Sequence, residues 1–202
     1  MTAVTKYVFN TEPLKYGKTL PSPRDEDYPP YSFKYGEIET VRSMTSDYVR
    51  EVIDSAPIGG KHKNVMVDVK VHDLLTGRCP CLPGWHCDSV VRPDHPSQPE
   101  LHHIFVTGIH CLTLFIAEPV ELDLLEEDES MQHLNHSFNE QIKEKYPNVK
   151  TTEVDSCRIA TFGRWDFHTG QFSKGDERRL LIRVSESDII KPRNDWSKIE
   201  YK

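Results

Sequence analysis

The sequence lacks the long hydrophobic run that a membrane-spanning helix requires, because no window approaches roughly 18 consecutive apolar residues. The first residues, MTAVTKYVFNTEP, also lack the basic segment and the apolar stretch of a secretory signal. We therefore expect no membrane partner and a cytoplasmic location.

Lysine and arginine form no basic run. The 202-residue chain has 25 basic and 32 acidic residues, which gives a net charge of −7. Phosphate neutralisation supplies most of the sequence-independent affinity for duplex nucleic acid, so this charge makes a duplex partner unlikely. The favoured substrates are a small molecule, an amino acid or a peptide, and a nucleotide or a modified base stays open.

The five cysteines do not indicate a disulfide framework. Cys79 and Cys81 are separated by one residue, and Cys87, Cys111 and Cys157 are scattered along the chain. A C-x-C pair is not the spacing of a zinc knuckle. We therefore expect reduced thiols, as is usual in a cytoplasmic protein.

Hydrophobic spacing predicts a mainly β domain with helices packed outside it. Apolar residues recur every three or four positions in 37–54 and again in 131–146, which is typical of amphipathic helices. The segments with strand patterns are 64–72, 102–120, 149–154, 157–162 and 179–185. Many short strands with two helices favour a barrel or a sandwich.

Proline and charge divide the chain. Residues 1–36 contain five prolines, and we predict an arm or lid that wraps a surface rather than building a core. Residues 37–202 form a single predicted domain with a helical insertion at about 121–147. The acidic run ELDLLEEDES, which begins this insertion, is predicted to be a solvated connection.

His86, Cys87 and Asp88 form the motif with the clearest chemical meaning. On a strand, alternate side chains share a face, so His86 and Asp88 can bind one metal ion while Cys87 points away. His168, 82 residues further along the chain, is the candidate third ligand. Two imidazoles and one carboxylate on one face of an octahedral ion are typical of non-haem Fe(II) oxygenases.

Two arginines follow the distal histidine. Arg178 and Arg179 begin the last predicted strand, and a planar guanidinium there suits the far carboxylate of a dicarboxylic cosubstrate. If Leu180 and its alternate neighbours face the helices, Arg179 and Arg183 face the interior. This alternation favours Arg179, with Arg183 as a second cation for the cosubstrate or an acidic substrate and Arg178 as the fallback.

The His-x-Asp motif, the distal histidine and the arginine about ten residues later resemble the Fe(II)/2-oxoglutarate-dependent oxygenases. The resemblance implies a double-stranded β-helix, a jelly-roll or cupin-like barrel with flanking helices. It implies that His86, Asp88 and His168 bind Fe(II), and that Arg179 binds 2-oxoglutarate. Members of this family often add a hydroxyl from the strand after His-x-Asp, for which Thr107 and Thr113 are the candidates.

The same resemblance implies the chemistry. The cofactors would be Fe(II), 2-oxoglutarate as cosubstrate and O2, and the substrate would be hydroxylated or demethylated through a ferryl intermediate. One alternative is a cupin-like metalloenzyme that uses the same ligands without 2-oxoglutarate. Another is a non-catalytic β-barrel binding protein.

Other histidines offer weaker metal sites. His102, His103 and His110 lie in or beside a predicted strand, where a hydrogen-bonded structural histidine is the commoner outcome. His133 and His136 are three residues apart on a predicted helix, and we interpret them as exposed side chains.

Overall fold

A computed structural model describes residues 4–81, 83–89, 91–95, 100–125 and 130–199, which form a mainly β protein with helices, as predicted. Within these ranges no helix is both long enough and apolar enough to cross a membrane. The strands are β1 Val4–Phe9, β2 Lys15–Thr19, β3 Tyr31–Glu37, β4 Asn64–Leu74, β5 Leu101–Val106, β6 Thr113–Ile116, β7 Val120–Leu125, β8 Thr151–Glu153, β9 Arg158–Gly163, β10 His168–Gly170, β11 Glu177–Ser187 and β12 Asp195–Lys198. The helices are α1 Ile38–Met44, α2 Asp47–Ser55 and α3 Met131–Lys145.

The strands form three antiparallel sheets. The largest has the order β12-β3-β4-β11-β5-β9-β2, a second has the order β10-β6-β8, and β1 pairs with β7. An isolated bridge joins His86 to His168 at the start of β10. Among the described strands, the hydrogen-bonded ladders do not close into a barrel.

Four antiparallel pairings are nested along the chain. The outermost joins β4 to β11, the next is the bridge between His86 and His168, then β5 joins β9, and the innermost joins β6 to β8. Nested pairs are the result of folding one long hairpin over itself. This folding brings His86 next to His168, although 82 residues separate them in the sequence.

The predicted helix over 37–54 is two helices, because the chain turns at Thr45 and Ser46. Ser46 is the N-cap of α2, and its hydroxyl accepts a hydrogen bond from the backbone N–H of Val49 at 3.3 Å. The apolar faces of the two helices still cover the large sheet. Val41 on α1 and Ile53 on α2 are both fully buried in the cluster that includes the outward-facing valines of β4.

The interpretation of the acidic run as a solvated connection is wrong for its first half. Leu122 and Leu124 are buried on β7, and every residue of β7 pairs with β1. These leucines alternate with acidic residues, so the run has the pattern of a half-buried strand. Its last residues, 126–129, lie outside the described part of the chain.

We expect Leu122→Ala to lower the free energy of unfolding by about 2–5 kcal/mol, because it leaves a cavity between β7 and α3. Leu75, which is 59% exposed, provides the matched control, and Leu75→Ala should change stability by less than about 0.5 kcal/mol. Urea unfolding measures both values. A similar small effect at both positions would contradict the assignment of β7 to the core.

The N-terminal segment contributes to the core as well as to the surface. Its three strands pair with β7, β9 and β4, and Phe9, Leu20 and Phe33 are at most 3% exposed. The sequence predicted only surface contacts for residues 1–36. The difference arises because short segments between prolines can still bury single large side chains, from β1, from β3 and from Leu20 directly after β2.

Candidate metal centre

His86 and His168 face each other across the isolated bridge. The N–H of His86 donates to the carbonyl of His168 at 3.0 Å, and the N–H of His168 donates to the carbonyl of His86 at 2.9 Å. Residues that exchange both hydrogen bonds in an antiparallel pair have their side chains on the same face. The two ring centroids are accordingly 4.5 Å apart.

Asp88 completes a group of three on this face. One ligand atom from each of His86, Asp88 and His168 lies within 4.8 Å of the other two. Cys87 points the opposite way and is buried against α3 and β7, as the alternation predicted. The structure therefore brings together the three residues that the sequence nominated as metal ligands.

The tautomers of both histidines follow from backbone contacts. Nδ1 of His86 lies 2.9 Å from the carbonyl oxygen of Gly84, and Nδ1 of His168 lies 3.0 Å from that of Asp166. A carbonyl oxygen only accepts hydrogen bonds, so in the neutral rings each Nδ1 carries the hydrogen and each Nε2 presents a lone pair. This arrangement is typical of histidines that bind a metal through Nε2.

Arg183 determines the charge state of the carboxylate. Its guanidinium lies 2.5 Å from Asp88 Oδ2 and 2.5 Å from Asp68 Oδ2. Burial alone would raise the pKa of Asp88, but the neighbouring Arg183 cation holds this pKa well below its usual range. Burial lowers the pKa of His168 to about 4, so this imidazole is neutral at pH 7.

The charges of the group suit a divalent cation. Two carboxylates and one guanidinium leave one net negative charge beside the two imidazoles. Arg183 contacts only Oδ2 of Asp88, which leaves Oδ1 without a contact to this guanidinium. Neutral nitrogen donors and a carboxylate are ligands that Fe(II) accepts, so these residues fit the implied ion.

Two asparagines of α3 hold the backbone that carries the first two ligands. Oδ1 of Asn135 accepts from the N–H of Cys87 at 3.0 Å, and its Nδ2 donates to the carbonyl of Cys87 at 3.2 Å. One turn later, Oδ1 of Asn139 accepts from the N–H of Trp85 at 2.8 Å. The helix thereby supplies polar contacts that a neighbouring strand would otherwise make.

Arg179 lies in the same cavity as the three candidate ligands. The cavity has a volume of about 200 Å³, and its wall includes Thr113 as well as Arg179. Arg179 is only 2% exposed, and the one hydrogen bond that it makes to a side chain of the described residues runs from Nη2 to the Thr113 hydroxyl at 3.4 Å. Its Nε atom is buried and has no hydrogen-bond partner in the described part of the chain, so this donor is available to an anionic ligand.

Two of the other three cosubstrate candidates, Arg178 and Thr107, lie outside this cavity wall. The Arg178 guanidinium binds Asp73 at 2.7 Å on the outer face of the sheet. The Thr107 hydroxyl accepts a hydrogen bond from the backbone N–H of Leu180 at 2.9 Å, so it supports the sheet. Arg183 does line the cavity, but both its contacts are to aspartates rather than to an open site.

The competing histidines do not assemble. His102 contacts Ser185 at 2.9 Å, whereas His103 lies on the opposite face of β5 between Thr161 and Glu186. The side chains of His133 and His136 are exposed on α3. Among the residues that the structure describes, the only group with metal-binding spacing is that of His86, Asp88 and His168.

Sequence reasoning missed Asp68, Asn135 and Asn139. Asp68 lies directly opposite Arg183 in the register of β4 and β11, and it is the single acidic residue among alternating valines. That isolated charge in a strand pattern was a usable signal. Nothing in the sequence indicated the two asparagines, because their role depends on where α3 packs.

His72, opposite Arg179 in the same register, provides a test of the electrostatics of the cavity. Burial, with a smaller effect of Arg179, lowers the pKa of His72 to about 4. The unfolded chain therefore binds a proton below about pH 6.5 that the folded chain takes up only near pH 4, so stability falls with falling pH.

We expect the metal-free wild type to lose about 1–2 kcal/mol more stability than His72→Gln between pH 7 and pH 5. Urea unfolding at the two pH values measures this difference. Equal losses in the two proteins would show that His72 titrates normally in the folded state.

Comparison of the chain with protein-family models, with curated proteins and with solved structures found no match.

Proposed function

We propose that this protein is an Fe(II)- and 2-oxoglutarate-dependent oxygenase that hydroxylates or demethylates a small molecule, an amino acid or a peptide. One observation carries the proposal. Two imidazole Nε2 lone pairs and the carboxylate of Asp88 converge in a cavity that also contains the buried Arg179. This combination provides a metal site and an anion site within one small space.

The strand pairing supports a double-stranded β-helix for this enzyme. A jelly roll contains eight strands in two sheets, arranged as a long hairpin that is folded over itself. Seven strands and the His86 segment make four nested pairs of this kind. The remaining strands, β1, β2, β3, β7 and β12, extend the sheets or form the separate pair.

In the proposed enzyme, His86, Asp88 and His168 would hold the iron. The bound ion would supply the oxidising chemistry, with 2-oxoglutarate as the source of two electrons. The role of Arg183 is to keep Asp88 ionised and fixed in orientation. Phe115 and Phe162, whose ring centroids lie 5.2 and 5.3 Å from that of His168, limit movement of this ligand.

Arg179 and Thr113 are the proposed anchors of the distal carboxylate of 2-oxoglutarate. A carboxylate beside Arg179 would accept from the unpartnered Nε–H and from a terminal N–H, which are parallel donors in a guanidinium. Thr113 offers a hydroxyl on the same side. The apolar side chains of Ile104 and Leu181 complete this part of the wall and keep water from the anchored ligand.

The proposal is tested by succinate production. With Fe(II), 2-oxoglutarate and air, the protein should convert 2-oxoglutarate to succinate slowly even without its true substrate. Omission of Fe(II), or its replacement by Zn²⁺, is the control and should abolish the product. Iron binding without any iron-dependent succinate would contradict the proposal and favour a metalloprotein that does not use 2-oxoglutarate.

The two asparagines of α3 give a prediction about ligand positioning. We expect Asn135→Ala to weaken Fe(II) binding by about 10- to 100-fold, because the backbone of Cys87 between His86 and Asp88 loses two hydrogen bonds. Anaerobic calorimetric titration measures the affinity. His136→Ala, on an exposed neighbouring position of α3, is the control and should bind as the wild type does.

Equal Fe(II) affinity of Asn135→Ala and the wild type would contradict this positioning role. A thermal melt of the metal-free variant shows whether α3 still packs on the sheet. Loss of affinity with an unchanged melt assigns the effect to the metal site.

A further inference from the structure

The loop between β4 and the His86 segment carries two thiols that face the same point. A Cβ atom built on Gly170 would collide with Sγ of Cys81 and would lie 3.4 Å from Sγ of Cys79. In an extended chain, residues two apart also share a face, but their Cβ atoms are then too far apart for a disulfide. Here both sulfur atoms converge on the backbone of one glycine of β10.

One thiol of the pair, that of Cys81, belongs to the wall of the cavity. Cys81 and Gly170 both line the cavity, and Gly170 is two residues from His168. The Arg179 guanidinium is close enough to Cys79 and Cys81 to interact with both electrostatically.

The other three cysteines are in different surroundings. Cys87, Cys111 and Cys157 are at most 6% exposed, whereas Cys79 and Cys81 are accessible to solvent. Cys111 also donates its thiol hydrogen to the carbonyl of Gln171 at 3.0 Å. An oxidant in solution therefore meets Cys79 and Cys81 before the buried thiols.

We propose that Cys79 and Cys81 form a redox-active dithiol that closes to a disulfide in the cavity wall. With a peroxide as the oxidant, the Cys79 thiolate attacks one oxygen of hydrogen peroxide, and the O–O bond breaks to give a sulfenic acid and hydroxide. The Cys81 thiol then displaces water, so two thiols and one peroxide yield one disulfide and two waters.

The order of the two steps follows from how the sulfur of Cys81 packs. Although Cys81 is exposed as a residue, its sulfur lies closer to the backbone of Gly170 than that of Cys79 does. Desolvation of this thiol, together with the adjacent Cys79, raises the pKa of Cys81 to about 11. Cys81 is therefore the second thiol to react, and Cys79 is the first. A disulfide across a single residue is strained, and strained disulfides are easily reduced, so the reaction is reversible by thiols.

Closure changes the cavity wall, because Cys81 lines the cavity and its sulfur becomes bonded to that of Cys79. This proposal does not depend on iron or on 2-oxoglutarate, since the disulfide can be detected in the metal-free protein.

The test is mass spectrometry of the full-length, metal-free protein after treatment with hydrogen peroxide and alkylation of the remaining thiols. Trypsin cleaves after Arg78, and a glutamate-specific protease cleaves after Glu100, so digestion with both releases one peptide that contains Cys79, Cys81 and Cys87. We expect this peptide to lose the mass of two hydrogen atoms, with an alkyl group on Cys87 only. The denatured protein should then show three free thiols instead of five, and a dithiol reductant should restore all five.

Any of three results would overturn the proposal. The first is a peptide that retains both thiols while a buried cysteine is oxidised. The second is a disulfide between Cys79 and Cys111, and the third is oxidation of Cys79 that stops at the sulfinic acid. As controls, Cys79→Ser should prevent the loss of two thiols, and Cys111→Ser should lose two thiols as the wild type does.

Discussion

His168→Ala is expected to lower Fe(II) affinity by more than about 100-fold and to abolish iron-dependent succinate formation. The loss of His168 removes one of three ligands and leaves two, and metal sites lose about 10- to 100-fold in affinity even when only a supporting residue is removed. No other described histidine is close enough to take its place. Anaerobic calorimetric titration measures the affinity, and chromatography measures succinate.

The control for this variant is His133→Ala, which removes an exposed imidazole from α3. It should bind Fe(II) and form succinate as the wild type does. Circular dichroism checks that His168→Ala retains its strands, since this side chain contacts Phe115 and Phe162. A folded His168→Ala protein that binds Fe(II) normally would show that the ligand assignment is wrong.

Arg179→Met is expected to weaken 2-oxoglutarate binding by about 100-fold while Fe(II) binding remains unchanged. Removal of a buried guanidinium that donates two hydrogen bonds to a carboxylate costs about 2–5 kcal/mol of binding free energy, and about 1.4 kcal/mol corresponds to tenfold. The variant should not be less stable than the wild type. Without its ligand, Arg179 is a buried charge with an unpartnered Nε, so methionine of similar length relieves a desolvation cost.

Arg178→Met is the control that distinguishes the roles of the two neighbouring arginines. Arg178 binds Asp73 outside the cavity, so this variant should bind 2-oxoglutarate as tightly as the wild type. If Arg178→Met loses affinity for 2-oxoglutarate and Arg179→Met does not, Arg178 and not Arg179 is the arginine of β11 that binds the cosubstrate. If neither variant loses affinity, the cupin-like alternative without 2-oxoglutarate gains support.

The placement of individual side chains on strands was predictable from alternation alone. Because the side-chain period of a strand is two, Leu180 and Ile182 had to face the helices once Arg179 faced the interior. In the structure Leu180 and Ile182 are buried in the cluster that includes side chains of α1 and α2, and Arg179 lies in the cavity wall. The same rule placed Cys87 opposite His86 and Asp88.

Contacts between distant elements were not predictable in this way. The pairing of β1 with β7 joins two segments that are more than 100 residues apart. The local sequence of β7 looks like a solvated segment, because acidic residues alternate with Leu122 and Leu124. The turn at Ser46 was overlooked because the apolar spacing continues across it. Its signal, a serine followed three residues later by an apolar residue of the next helix, is weak on its own.

The charges around Asp88 show why sequence predicts ligands better than their supports. The His-x-Asp pattern is local, but the Asp68 partner of Arg183 is known only when β4 and β11 are in register. The sequence therefore predicts Arg183 as a second cation for the cosubstrate or an acidic substrate, whereas in the structure it bridges two aspartates. The net charge of −7 similarly gave no indication of a buried arginine at the cavity wall.

Anaerobic titration of the protein with Fe(II) and then 2-oxoglutarate, followed by visible absorption, tests the central claim most directly. Chelation of an iron held by His86, Asp88 and His168 predicts a weak charge-transfer band that saturates at one 2-oxoglutarate per chain. The band should be absent from His86→Ala and from His168→Ala. Absence of the band in the wild type, or its persistence in either alanine variant, would contradict the account.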